Sequence, residues 1–305
     1  MYDKNDLRSA LAPATAAPKP GGSQLYDAEY GLFYKDPPTE DGASGRTWYT
    51  RGQNFIVAYT EATPGAVFER TAQVDEFMLL LAYPDTPATL SAGDQRETTD
   101  GYTLAIMPPG SSRIELPEGG KVVRIFTTRS DDLVAKCSNV PAYAEQHGNI
   151  PPLVDWPAPR GGLRIRVYSL DVPPVPGRFG RIWRSTNMMV NIPAASVGPR
   201  DRTKVSPHHH DDFEQGSLAL EGVWGHHMRW PWSVDMNNWR DDVHAEVASP
   251  SVTVIPAQVI HTSTWTSDRN QLVDIFSPPR ADFSKQPGWV LNADDYPLPA
   301  ENAAA

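Results

Sequence analysis

The chain has 305 residues, with 27 Lys and Arg against 37 Asp and Glu, a net charge of −10, 30 prolines and one cysteine. This charge balance disfavours a nucleic-acid backbone as partner, and the lone Cys137 excludes an intrachain disulfide and a thiolate metal cluster. No apolar run reaches the ~18 residues of a transmembrane helix, and no apolar stretch follows Lys4 and Arg8 to make a signal peptide. The expectation is a cytoplasmic protein with neither nucleic-acid nor membrane partner.

Taken in order, residues 1–45 read as an N-terminal arm. The run 12–22 is rich in Ala, Pro and Gly and suits an extended segment. Tyr26, Tyr30, Phe33 and Tyr34 then supply rings to pin the arm to the rest of the chain or to a second copy. Residues 46–135 carry short apolar strands, Asn54–Thr60, Glu76–Leu81, Leu104–Met107 and Val122–Thr127. Turn signals at Thr63-Pro-Gly65, Pro108-Pro-Gly110 and Glu118-Gly-Gly120 separate them, the pattern of a β-sandwich or barrel. Residues 136–162 lack a period and read as a linker with a helical turn near 141–147. Strands resume over 163–280 at Leu163–Leu170, Ile182–Thr186, Met188–Ile192, Val252–Ile255 and Leu272–Phe276, and residues 281–305 form a tail. An internal repeat joins the halves: Val123-Arg-Ile-Phe126 matches Val273-Asp-Ile-Phe276, each after an apolar strand and a proline turn. The fold class expected is all-β, two tandem barrels.

The stretch that carries chemistry is Ser206-Pro-His-His-His210-Asp-Asp-Phe-Glu214-Gln215. Alternation along a strand puts His208 and His210 on one face and His209 on the other. Two imidazoles on one face are half of a metal site. Asp211-Asp212 should bend the chain, and Leu218-Ala-Leu220 should continue as a strand closed by a turn at Gly222. A third ligand from that strand is Glu214 or Gln215, and a fourth is His261 in Pro256-Ala-Gln258-Val-Ile-His261.

These two segments resemble the motifs of the cupin superfamily. The first of those motifs is His-x-His, three or four residues, Glu, six residues, Gly; here Gln215 stands in place of Glu, with Gly222 at the right distance. Glu214 fits the shorter gap but leaves seven residues before Gly222, so Gln215 is preferred. The second is Pro-x-Gly-x-x-His, with Gln258 here in place of Gly and Trp265 where an Asn usually follows. The resemblance spans roughly residues 47–280 and implies a bicupin, two double-stranded β-helix (jelly-roll) barrels. It implies one divalent metal ion, Fe(II) favoured over Mn(II), Ni(II) or Zn(II), held by His208, His210, Gln215 and His261. In the first half Pro108-Pro-Gly110-Ser-Ser-Arg113 places Arg at the histidine position, so that barrel is expected to hold no metal, a guanidinium being no ligand.

Three imidazoles and a neutral amide leave a dication its full charge, which favours an anionic or enolisable ligand. The resemblance then implies a metal-dependent enzyme on a small molecule, read as a dioxygenase acting on an aromatic or enolisable carbonyl compound. A lyase or isomerase using the metal as Lewis acid is the alternative, and a non-enzymatic ligand-binding bicupin a third. Proton carriers named for such chemistry are Glu214, His226 and His227. Trp224, Trp230 and Trp232 are read as a substrate wall, although core packing accounts for barrel tryptophans equally well. Cupin barrels commonly pair through sheet edges, so a homodimer is expected.

Overall fold

A computed structural model describes residues 6–11 and 24–300, so the expected extended run 12–22 lies outside the described residues. The chain is built from antiparallel strands in two large and two small sheets. The first large sheet orders Arg166–Ser169, Thr103–Met107, Phe77–Leu81, Gly120–Thr127, Phe55–Ala62, Gly45–Arg51 and Glu40–Gly42. Behind it lies a four-stranded sheet, Ala66–Gln73, Gly110–Leu116, Ala88–Ala92 and Gln95–Thr99. The second large sheet orders Glu29–Gly31, Ser251–Ile255, Gln215–Glu221, Arg269–Phe276, Met189–Asn191 and Ile182–Arg184, with Ser196–Val197 against Arg269–Phe276. It is backed by Val243–Val247, Trp224–Arg229 and Ile260–Trp265. Among the described residues no helix is long and apolar enough to cross a membrane.

Strand registers superimpose the two halves residue on residue. Val123 pairs with Leu80 as Val273 pairs with Leu218, and Arg124 pairs with Ala58 as Asp274 pairs with Asn191. The repeat read in the sequence is therefore one strand occurring twice. Each half also lends a strand to the other. Glu29–Gly31, which precedes the first barrel, pairs with Ser251–Ile255 of the second. Arg166–Ser169, at the start of the segment assigned by sequence to the second barrel, pairs with Thr103–Met107 of the first. A sequence division at 163 cannot show this, because an edge strand's partner is chosen by what lies next to it in space.

The two large sheets face each other across one apolar core that includes Phe55, Val57, Leu80, Ile125, Trp183, Leu218, Val254 and Ile275. Strands of both sheets are buried on both faces, which is why they read as continuous apolar runs. At the edge of this interface the halves exchange buried carboxylates. Glu76 of the first half accepts from the Thr186 N–H (3.0 Å), the Thr186 hydroxyl (2.8 Å) and the Tyr296 hydroxyl (2.8 Å). Glu214 of the second half accepts from the Gln53 N–H and the Tyr143 hydroxyl. Glu76 and Glu214 occupy equivalent strand positions, so the same clamp is made twice.

The barrel interiors differ. Phe77, Leu79 and Ala105 point into the first barrel, together with Ile114, Leu116 and Phe126. The equivalents of Phe77, Leu79, Ala58 and Ala105 in the second barrel are Gln215, Ser217, Asn191 and Thr253, all buried. The first barrel's inward residues are mostly apolar, with the buried Arg124 among them; the second has a polar interior. Arg113 does not stand at an inward histidine position: the strand shifts register between Gly110 and Ser112, so Ser112 and Ile114 are buried while Arg113 pairs outside with Glu69 and Glu115.

Replacing Glu76 with Ala leaves three buried donors without an acceptor, and should lower unfolding free energy by about 3 kcal/mol. Denaturant unfolding of the variant checks this, and Glu76→Gln, which keeps an acceptor, should lose less.

Candidate metal centre

The histidines are placed by backbone pairing. His208 and His261 form an antiparallel bridge, N–H to carbonyl in both directions at 3.0 and 2.7 Å, and the Gln258 N–H donates to the His210 carbonyl. Gln258 adopts φ 69°, the left-handed conformation that explains why the resembled motif has glycine at this position. Gly222 closes the ligand strand at φ 91°, where a Cβ would run into the Asn270 side-chain oxygen.

His208, His210 and His261 each offer a ring nitrogen, all within 4.8 Å of one another; among the described residues no other such cluster of three occurs. His209 points away, towards Asp211, although the segment forms only the single bridge at His208 and no strand. The Nδ1 atoms of His208 and His261 lie 2.8 and 2.9 Å from the carbonyls of Ser206 and Val259, to which they donate. That leaves Nε2 of each ring as the nitrogen able to ligate. Gln215 Oε1 points into the same space, 2.9 Å from His210 Nε2 and 3.4 Å from His261 Nε2. Without an ion, His210 Nε2–H can donate to that oxygen; with His210 in its other tautomer, three imidazole nitrogens and the amide oxygen form a neutral donor set that fits a divalent ion. Burial keeps the imidazoles neutral: His208 and His210 titrate well below the usual histidine range and His261 is pushed down to about 4.

His208, Gln215 and His261 open on a cavity of about 280 Å³. Trp224 and Trp265, ring centroids 5.1 Å apart, form part of its wall together with Phe179, Phe276 and Phe283. Three guanidinium groups reach it. Arg8, from the short turn Leu7–Ala10, hydrogen-bonds Asp6 and the Ser206 hydroxyl. Arg200 donates to the same hydroxyl and covers Trp265. Arg280 stacks on Phe283 beside its partner Asp282.

Several sequence readings are corrected by placement. Glu214 stands on the opposite face of its strand from Gln215 and is spent in the interface clamp, with His147 Nδ1 at 3.3 Å. His227 points outward to His244 and Thr264. His226 is the inward member of the pair, bonded to Ser263 and lowered by burial to about 3, a weak base at neutral pH. Of the three tryptophans expected in the substrate wall, only Trp224 lines the cavity. Trp230 packs with Leu25, Met228 and Val259, and Trp232 stacks on Trp239 at the surface, 76% exposed. Arg8, Arg200, Arg280 and Asp274 were not singled out from the sequence. For Asp274 a signal existed, a carboxylate at an inward position of an apolar strand; for the arginines none did, since they converge from distant segments.

No protein-family model and no curated protein sequence matches the chain. Solved structures do. AerE from Microcystis aeruginosa superposes with a TM-score of 0.53 at 8% identity, covering 80% of this chain and 96% of that one. A variant of Bacillus subtilis oxalate decarboxylase superposes with a TM-score of 0.52 at 15% identity, covering 86% of this chain and 80% of that one. The chain has the bicupin fold. Its second barrel carries the histidine cluster, and the first carries a mostly apolar interior with the buried Arg124 at the Asp274 position.

His210→Ala and His261→Ala should each abolish stoichiometric metal measured by elemental analysis, while Glu214→Gln should retain metal and lose stability. Metal affinity should stay flat as pH falls from 7 to about 5 and drop near pH 4, because His261 is already neutral above that value. The unfolded chain, with histidines near 6.5, binds protons that the folded apoprotein refuses, so thermal melts of apoprotein should move down as pH falls below about 6.5.

Proposed function

We propose that this bicupin is a mononuclear metal-dependent dioxygenase acting on a small anionic aromatic or enolisable carbonyl compound. The observation that carries the reading is the company the ligands keep: a neutral donor set, three guanidinium groups and an aromatic wall around one cavity. A bound divalent ion, Fe(II) in this proposal, would supply Lewis acidity and the electrons for reaction with O2.

Arg8, Arg200 and Arg280 would neutralise and orient a carboxylate or phenolate, as a guanidinium fork suits. Trp224, Trp265 and Phe276 would hold a planar body and exclude water. Two of the three proton carriers expected from sequence face away from the cavity and the third is a weak base, which supports oxygen chemistry over proton relay. The second reading is a metal-dependent lyase on a carboxylate, favoured by the guanidinium cluster; an oxalate decarboxylase shares the fold.

The test is O2 consumption by Fe(II)-loaded protein over a panel of 1,3-dicarbonyl and phenolic acids. Turnover undiminished without O2, or with Zn(II), would sink the dioxygenase reading and leave the lyase. Arg280→Ala should raise KM about tenfold, the loss of one charge-assisted contact, with metal content unchanged.

A further inference from the structure

Gln215 is held at both ends of its amide. Oε1 faces the Nε2 atoms of His210 and His261, while Nε2 donates to Asp274 Oδ1 at 3.0 Å and to the Ser217 hydroxyl at 3.1 Å. The other Asp274 oxygen accepts from Asn191 Nδ2 at 3.2 Å. Burial raises the Asp274 pKa; in the ionised form both oxygens accept, as these contacts have them, and offer no hydrogen in return. An amide beside it must turn its NH2 that way and its carbonyl the other way, into the histidines. Asp274 sits two residues before the end of Arg269–Phe276, at the position taken in the first barrel by the buried Arg124.

We propose that Asp274 is the positioning residue of the metal centre, fixing the Gln215 amide with its carbonyl oxygen towards the ion. This rests on the metal-ligand reading of Gln215. The pair is interdependent: a carboxylate side chain at position 215 would set two acceptors about 3 Å apart and lose the hydrogen bond to Asp274. Glutamine at 215 is therefore matched to the carboxylate behind it, and exchanging the two chemistries together should preserve the site.

The experiment titrates Mn(II) into metal-stripped full-length protein, following free Mn(II) by electron paramagnetic resonance. Wild type should bind one ion. Asp274→Asn should weaken Mn(II) binding about 10- to 100-fold, the usual cost of losing a partner behind a ligand, and should change the bound-Mn(II) spectrum. Ser217→Ala, which leaves the carboxylate in place, should lose much less. Adding Gln215→Glu to Asp274→Asn should recover most of the lost affinity, because the amide introduced at position 274 can then donate to the carboxylate introduced at 215. Wild type that binds no Mn(II) defeats the metal-centre reading itself. Wild-type binding with Asp274→Asn equally tight, or a double variant that recovers nothing, overturns the positioning role alone. If Asp274→Asn does not fold, a crystal structure of metal-bound wild type decides: Gln215 Oε1 on the ion with Nε2 on Asp274 supports the role, and Asp274 itself ligating, or Gln215 turned away, overturns it.

Discussion

Two sheets, each buried on both faces, must each find an apolar partner on the side that does not close its own barrel. They find it in each other. The core between them, with Trp183, Phe55, Leu218 and Ile125, is the contact on which the rest depends. Burial of that kind is worth about 25 cal/mol per Å2 of apolar area, and its geometry sets the two exchanged edge strands and the paired carboxylate clamps at Glu76 and Glu214. It also sets what each barrel interior is free to be.

That freedom is used unequally. The first barrel spends its interior on packing, with Phe77, Leu79 and Phe126. The second holds Gln215, Ser217, Asn191, Thr253, His226 and Asp274 at inward positions, and buried polar groups cost stability unless they are bonded. Most here are. Gln215 bonds Ser217 and Asp274, Asp274 bonds Asn191, and His226 bonds Ser263. The shared core and the mostly apolar first barrel offset what the polar interior costs.

One physical rule accounts for most of the differences between expectation and placement. Neighbours along a strand face opposite ways, so of Glu214 and Gln215, or of His226 and His227, one turns inward and the other does not. Spacing to Gly222 selected Gln215, the member of its pair whose amide faces the histidines. It carried no information about where Glu214 goes, because that depends on Gln53 of the first half and Tyr143 of the segment after it. Arg113 shows the converse: the motif letters align with His261, but a bulge after Gly110 turns the side chain outward.

The sequence by itself determined the all-β class, the doubling of one strand pattern at Val123–Phe126 and Val273–Phe276, and the four residues that converge as candidate ligands. These are legible because alternation, turn chemistry and ligand spacing act over short stretches of chain. The tertiary structure alone decided the exchange of Glu29–Gly31 and Arg166–Ser169, the convergence of Arg8, Arg200 and Arg280, and the Asp274 contact that orients Gln215. Gln215 and Asp274 are 59 positions apart, and Arg8 and Arg280 stand near opposite ends of the chain. Which of many distant polar or edge groups meet is settled by the packing of two sheets, a constraint that no local pattern records.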